Sequence, residues 1–313
     1  MKKICKVCPR NCQVDRNLNA GFCGATNNLK VSKVMLHHWE EPIISGTNGS
    51  GAIFFSHCNL KCIFCQNYEI SSNGAGKEIS IDNLISIFKQ LEKAGAHNIN
   101  LVSPTQYSNQ LIEALKIYKP TIPVVWNSNG YESIETLKKL KGLVDIYLCD
   151  FKYFDNSLAT EFSNAPNYLE SCSNALQEMI SQQPQNIIEN NLLKNGIIIR
   201  HLVLPNCSQD SIEILNYIKE KFGKYVTISL MSQYLPCYKA INHKTLGRKV
   251  KPIEYKRVLT AFESLGFTNG FCQELTSADE CFIPDFNKQD IEFIFWYLYL
   301  YVYIYKYILM LKF

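Results

Sequence analysis

Six times between residues 51 and 265, a short apolar run gives way to a stretch whose apolar residues recur at helical spacing. No other feature constrains the fold as tightly. The apolar runs fall at 51–55, 98–102, 123–126, 144–149, 196–204 and 226–231, and their length and β-branched or aromatic content read as buried strands. The helical stretches fall at 81–94, 110–118, 134–140, 158–162 with 168–182, 211–222 and 253–265; in the first, Leu84, Ile85, Phe88 and Leu91 share one face. Strands joined through helices pair in parallel, so the pattern predicts an α/β fold, an incomplete (β/α)6 TIM-like barrel. A chain of 313 residues that is 47% apolar can bury one such core. In barrels of this kind function gathers at the C-terminal ends of the strands. Those ends carry polar residues here: Ser103 and Thr105, Asn127 and Asn129, Asp150 and Lys152, Arg200, and Gln233. Their succession around one rim predicts a single pocket.

Three cysteines spaced C-x3-C-x2-C, Cys58, Cys62 and Cys65, follow the first apolar run directly. Three thiolates so placed can hold three irons of a [4Fe–4S] cube and leave the fourth without a protein ligand, whereas such clusters usually take four cysteines. The alternatives are a zinc site or scattered structural thiols, but zinc knuckles prefer paired C-x2-C units with a partner pair downstream. The segment Ser56-His57-Cys58-Asn59-Leu60-Lys61-Cys62-Ile63-Phe64-Cys65-Gln66-Asn67 resembles the signature of the radical S-adenosylmethionine (radical SAM) superfamily, with Phe64 as its aromatic. Gln66-Asn67 looks like the branch containing pyruvate formate-lyase activating enzyme and its uncharacterised relatives.

The resemblance implies a barrel of the radical SAM type, a [4Fe–4S] cluster on Cys58, Cys62 and Cys65, and S-adenosylmethionine on the open iron. It implies reductive cleavage of that molecule to methionine and a 5′-deoxyadenosyl radical, with flavodoxin or ferredoxin as reductant. Asp150 and Lys152 match a D-x-K motif that contacts the ribose and the methionine carboxylate, and Arg200 looks like the arginine that pairs with that carboxylate. Asn127 and Asn129 match an element near the ribose. Where most relatives carry Gly-Gly-Glu for the methionine ammonium, this chain has Ser103-Pro104-Thr105, so the Ser103 or Thr105 hydroxyl and backbone carbonyls would stand in. The same branch matches Glu41-Pro42-Ile43-Ile44-Ser45-Gly46, Gly49-Ser50-Gly51 and Phe282-Ile283-Pro284-Asp285-Phe286. By family analogy the substrate is a protein, activated as a glycyl-radical enzyme. Radical modification of a small molecule or peptide is the alternative within enzymes, and an iron–sulfur electron carrier or redox sensor is the alternative outside them. A carrier has no use for Asp150, Lys152 and Arg200 around a zwitterionic ligand.

A second group, Cys5, Cys8, Cys12 and Cys23, is a complete four-thiol set suited to a closed [4Fe–4S] cluster or tetrahedral zinc. The sequence therefore divides into a Cys-rich metal-binding extension (1–48), a core (49–286) and an aromatic tail (287–313). His37 and His38 lie between the cysteine groups and read as partly exposed structural residues, with a substrate-facing role as the alternative. Cys149, Cys172, Cys207, Cys237, Cys272 and Cys281 lack partner spacing and most read as ordinary buried thiols, with Cys237 set apart by its place after the rim motif. An odd total of 13 cysteines in metal-like clusters, with no secretory pattern at Met1-Lys2-Lys3-Ile4-Cys5, points to the reducing cytoplasm. Thirty-two basic against 28 acidic residues, a net +4, argue against a nucleic-acid footprint. The tail alternates Tyr with aliphatic residues from Trp296 to Tyr305, which is strand-like and unlike a hydrocarbon span; it reads as an anomalous extension, with a membrane anchor or a packed element as alternatives.

Overall fold

A computed structural model describes residues 4–223, 226–267, 269–275 and 286. The aromatic tail, Cys281 and residues 282–285 of the last motif lie outside the described residues. In chain order the elements are β1 (Lys30–His37), α1 (Pro42–Ser45), β2 (Ser50–Phe55), α2 (Tyr68–Ser71), β3 (Lys77–Glu78), α3 (Ile81–Lys93), β4 (Ile99–Val102) and α4 (Ser108–Ile117). Then come β5 (Val124–Ser128), α5 (Ile134–Leu140), β6 (Ile146–Asp150), α6 (Asn156–Ser163), α7 (Tyr168–Gln182), β7 (Ile187–Glu189), β8 (Leu192–Leu202), α8 (Ser208–Lys221), β9 (Thr227–Met231), α9 (Pro252–Ser264) and β10 (Gly270–Cys272).

The sheet runs β10-β9-β8-β6-β5-β4-β2-β1-β3, with β7 paired to β8. From β2 to β10 every pair along that path is parallel. The sheet does not close: β10 ends one side, and the antiparallel β1 and β3 end the other. This is the incomplete barrel the alternation predicts. The six expected strands are all present; β1, β3, β7 and β10 are additions, three of them only two or three residues long and too short to leave a periodic signature. The boundary expected at residue 48 falls between β1 and β2, which are hydrogen-bonded partners.

Helix α3 begins on a side-chain cap. The Ser80 side chain accepts a hydrogen bond from the Asn83 amide to cap α3, and the helix buries Leu84, Ile85, Ile87, Phe88 and Leu91 against the sheet. Strand residues alternate faces. Leu101, Trp126, Tyr147, Ile199 and Ile228 join the core under the helices, while the intervening positions face the barrel interior. That interior is layered. At its base Ile44 of α1 packs with Val125, Ile146, Leu148, Leu193 and Ile198, so the short helix plugs the barrel with apolar contacts. One step up, the same strands present Asn127, Asp150 and Arg200, with Asp150 opposite Arg200 and Arg200 opposite Ser229 in register. Polar chemistry therefore begins one residue pair above the plug. Among the described residues, no helix is long and apolar enough to cross a membrane.

His201 anchors the outer side of β8. Its Nδ1 lies 2.8 Å from the Phe151 carbonyl and must donate, which leaves Nε2 to accept from the Ser211 hydroxyl at 2.9 Å. Burial pushes its pKa down to about 4 from an ordinary 6.5, so the folded ring is neutral. The unfolded chain takes up this proton first as the pH falls. The stability tied to a neutral His201 is therefore complete above pH 6.5 and declines toward about 4, at roughly 1.4 kcal/mol per pH unit. Urea midpoints measured across that window should fall with pH in the wild type and fall less steeply in His201→Gln.

Candidate active site

The cysteine loop leaves the end of β2 and is tied down before any metal is considered. His57 opens it with a left-handed backbone, φ 70°. Its ring occupies the space left by two glycines: a β-carbon on Gly24 would lie 2.9 Å from the imidazole, and one on Gly74 2.5 Å. Both glycines also have positive φ, 91° and 70°, so two constraints exclude larger residues there. The Gln106 amide donates to the carbonyls of Ser56, His57 and Ser103. From the far side, the Lys61 and Ile63 amides donate to the carbonyls of Ser163 and Phe162 at the end of α6.

Cys58, Cys62 and Cys65 are free thiols lining one cavity. Burial pushes Cys58 and Cys62 up to about 11, and it raises Cys65 as well. Donors nevertheless surround the sulfurs. The Leu60 amide and the Asn129 side-chain amide reach Cys58 Sγ at 3.4 and 3.3 Å. The Ser163 hydroxyl reaches Cys62 Sγ at 2.9 Å, and Ser71 Oγ lies 3.2 Å from Cys65 Sγ. Such donors stabilise a thiolate, so the set suits metal-bound sulfur despite the burial. Among the described residues no three His, Cys, Asp or Glu side chains converge closely enough for a single metal ion. A cube makes a different demand, taking its thiolates on separate irons.

The same cavity is lined by a charged ladder. Lys152 Nζ lies 2.8 Å from Asp150 Oδ2, and Asp150 Oδ1 accepts from Arg200 Nε at 2.9 Å. Arg200 Nη1 donates to Glu40 Oε2 at 2.9 Å and Nη2 to Asn127 Oδ1 at 2.6 Å. Glu40 Oε1 in turn accepts from Asn100 and Asn127. Burial works to raise the Asp150 carboxyl, but Lys152 and Arg200 overcome it and hold it below the usual carboxylate range. Burial likewise opposes the charge on Arg200 and Lys152, and the carboxylates around them win, holding both cations above their ordinary values. The cavity these groups line measures about 640 Å³, within the range of pockets that bury a small-molecule ligand.

The structure brings Ser103, Asn127, Asn129, Asp150, Lys152 and Arg200 to the same cavity as the three thiols. Thr105 is not brought there: its hydroxyl donates to Glu132 Oε1 at 2.6 Å in the protein interior, and it does not line the cavity. Sequence reasoning missed Glu40 and Glu41, which line the cavity, and the sulfur-facing Ser163 and Ser71. The acids stand as a pair just before Pro42, but nothing in their spacing shows that the β1–α1 connection turns into the barrel. His37 and Cys272 also line the cavity; Cys237 instead lies 3.2 Å from the Phe64 carbonyl.

Cys5, Cys8 and Cys23 are buried and Cys12 is half-buried. Their loops turn on left-handed Asn11 and Gln13, φ 43° and 54°. The Phe22 and Ala25 amides donate to the sulfurs of Cys12 and Cys23 at 3.3 and 3.4 Å. This extension sits on the cysteine loop. Arg10 Nε donates to the Asn59 carbonyl at 2.9 Å, and Lys61 Nζ to that of Cys23 at 3.1 Å.

A family model described as the Radical SAM superfamily matches residues 52–232. An uncharacterised protein of Methanocaldococcus jannaschii is 33% identical over 276 residues, 83% of this chain and 75% of that protein. The chain belongs to the radical SAM superfamily. Membership implies a [4Fe–4S] cluster and S-adenosylmethionine, and the three donor-flanked thiols beside a charged cavity fit both. The fold is shared with the [FeFe]-hydrogenase maturase of Carboxydothermus hydrogenoformans at 17% identity and a TM-score of 0.50, over 72% of this chain and 54% of that one. Methylornithine synthase matches at 16% identity and 0.47, over 66% and 59%. A domain of a pyruvate-formate lyase-activating enzyme from Bacteroides vulgatus matches at 12% and 0.38, over 55% and 91%. This chain thus spans between half and two thirds of the first two structures. At such identities the likeness concerns the fold alone.

All the guanidinium nitrogens of Arg200 are engaged by protein, and its side chain is 15% exposed. Removing one partner from a buried ion pair costs about 3–5 kcal/mol. Arg200→Ala, which leaves Glu40 and Asp150 facing each other's charge, should lower stability by that order in urea titration. Arg200→Lys should recover only part of the loss, because an ammonium cannot span three acceptors in the plane of a fork.

Proposed function

We propose that Cys58, Cys62 and Cys65 hold the cluster and that Asp150, Lys152, Arg200, Asn127, Asn129 and Ser103 hold S-adenosylmethionine. The observation that carries this reading is the shared cavity, which sets three thiols against the Lys152–Asp150–Arg200 ladder. When bound, a cube with one open iron supplies the electron that cleaves S-adenosylmethionine to methionine and a 5′-deoxyadenosyl radical. The protein's part is to position and to exclude. Lys152 is the cation nearest in influence to the Cys62 sulfur and offers its charge to a carboxylate at the thiol end. Asn129 bonds both Cys58 Sγ and Asn59 Oδ1, so it ties the ligand wall to the loop. The Asn129, Ser163 and Ser71 donors tune the electron affinity of whatever the sulfurs hold. The substrate class we favour is a protein, with glycyl-radical activation as the analogy, and the setting is cytoplasmic, with a flavodoxin- or ferredoxin-type reductant.

The test is anaerobic reconstitution with iron and sulfide, then dithionite and S-adenosylmethionine, with 5′-deoxyadenosine as the readout. The wild type should form it, and Ala at Cys58, Cys62 or Cys65 should abolish it. A triple variant that still forms the nucleoside would overturn the reading, while cluster assembly without cleavage would favour an electron carrier.

We further propose that the N-terminal thiols hold a second, closed [4Fe–4S] cluster; zinc, the alternative, needs these thiols drawn closer than they stand here, where no three described side chains converge on one ion. Anaerobically purified protein should hold either twice the iron of a Cys5→Ala/Cys8→Ala variant or one zinc that this variant lacks. Equal metal content in both proteins would leave the four thiols without a metal.

A further inference from the structure

The base of the cavity holds buried polar atoms that have no partner among the described residues. Among the described residues, Glu41 Oε2, Asn100 Oδ1 and His37 Nδ1 are buried and have no hydrogen-bond partner. Glu41 and His37, each 8% exposed, line the cavity; Asn100, fully buried, donates to Glu40 beside them. A buried polar atom left unmatched is costly, so three in one neighbourhood, two of them acceptors in any protonation state of His37, mark a place built for a ligand.

Charge gives the same answer. Glu40, Glu41 and Asp150 line the cavity against Lys152 and Arg200, three carboxyls to two cations. Both oxygens of Glu40 and of Asp150 are engaged, and so is the Arg200 fork. The free capacity lies with Glu41. Burial pushes its carboxyl up despite Arg200 nearby, and an arriving cation would relieve that strain.

We propose that Glu41, with Asn100 and His37 around it, is the subsite for a primary ammonium group on the second substrate, the molecule bound beside S-adenosylmethionine. This rests on reading the cavity as the S-adenosylmethionine site. The ladder separates the two ends: Lys152 faces Cys62, whereas the Arg200 fork faces Glu40 and Glu41 at the base. A ligand anchored on an open iron at the thiol end leaves the basal acceptors for another molecule. A primary ammonium carries donors and one charge, matching the unpartnered Glu41 Oε2, the Asn100 Oδ1 behind it and the one excess carboxyl, with His37 Nδ1 as a further acceptor when its proton sits on Nε2.

Protein carrying its reconstituted cluster and S-adenosylmethionine is titrated, by ligand-observed NMR, with n-butylammonium, with Nα-acetyl-lysine methylamide and with n-butanol as the uncharged isostere. The ammonium probes should bind saturably and at least tenfold more tightly than the alcohol. Glu41→Gln should lose tenfold or more of that affinity, and Glu41→Asp, which keeps the charge, should retain most of it. Binding of n-butylammonium assigns the subsite to a free amine; binding of the lysine derivative alone assigns it to a lysyl side chain. Equal affinity for ammonium and alcohol, or equal affinity in wild type and Glu41→Gln, would overturn the proposal. Iron content and thermal unfolding of both variants separate a lost subsite from a lost fold. Failure of the wild type to bind S-adenosylmethionine, measured separately, overturns the reading of the cavity instead.

Discussion

A single guanidinium organises the interior. Arg200 projects from β8 into a space where an unpaired cation would be strongly disfavoured, and it stays there because three elements bring acceptors to it. Asp150 comes from β6, Asn127 from β5 and Glu40 from the β1–α1 connection. The last of these matters most for architecture. It draws a segment outside the repeating strand–helix pattern into the barrel, directly above the Ile44 plug. Because Arg200 occupies one oxygen of Asp150, the other is left to Lys152, and the ammonium of Lys152 is thereby directed toward the thiols.

The cysteine loop obeys a parallel logic. A loop of this length would lose much conformational entropy on ordering. Here it is held by backbone bonds to the end of α6, by the Gln106 amide, and by the N-terminal extension through Arg10 and Lys61. The His57 ring, seated between Gly24 and Gly74, joins extension and loop by packing alone. Loss of the extension would therefore be felt at the loop whether or not the extension carries a metal. The sulfur-facing donors come from separate places, Asn129 after β5, Ser163 closing α6 and Ser71 closing α2, so the loop's electronic setting depends on the whole rim.

Much of this was legible beforehand. Six apolar runs and their helices identify the barrel because alternation of period is a local property: Leu84, Ile85, Phe88 and Leu91 must share a face whatever surrounds them. The C-x3-C-x2-C spacing likewise carries its chemistry within eight residues, and polar residues after strands point to the rim because a strand's end has one location in such a fold. The short edge strands β3 and β10 escaped notice, since two or three residues hold no period.

What local pattern could not supply was pairing across the chain. Glu40 lies 160 residues before the arginine it binds, and Ser163 lies 101 residues after the cysteine it faces. Thr105 reads as a rim hydroxyl from its place after β4, yet the turn there carries it into the interior toward Glu132. The sequence by itself determined the six repeating strand–helix units and their parallel pairing and marked the three thiols as candidate ligands, because these follow from spacing along the backbone. Only the tertiary structure decided which side chains share the cavity and which remain unsatisfied within it. Those outcomes depend on where distant segments meet once water is excluded, and no interval along the chain encodes that.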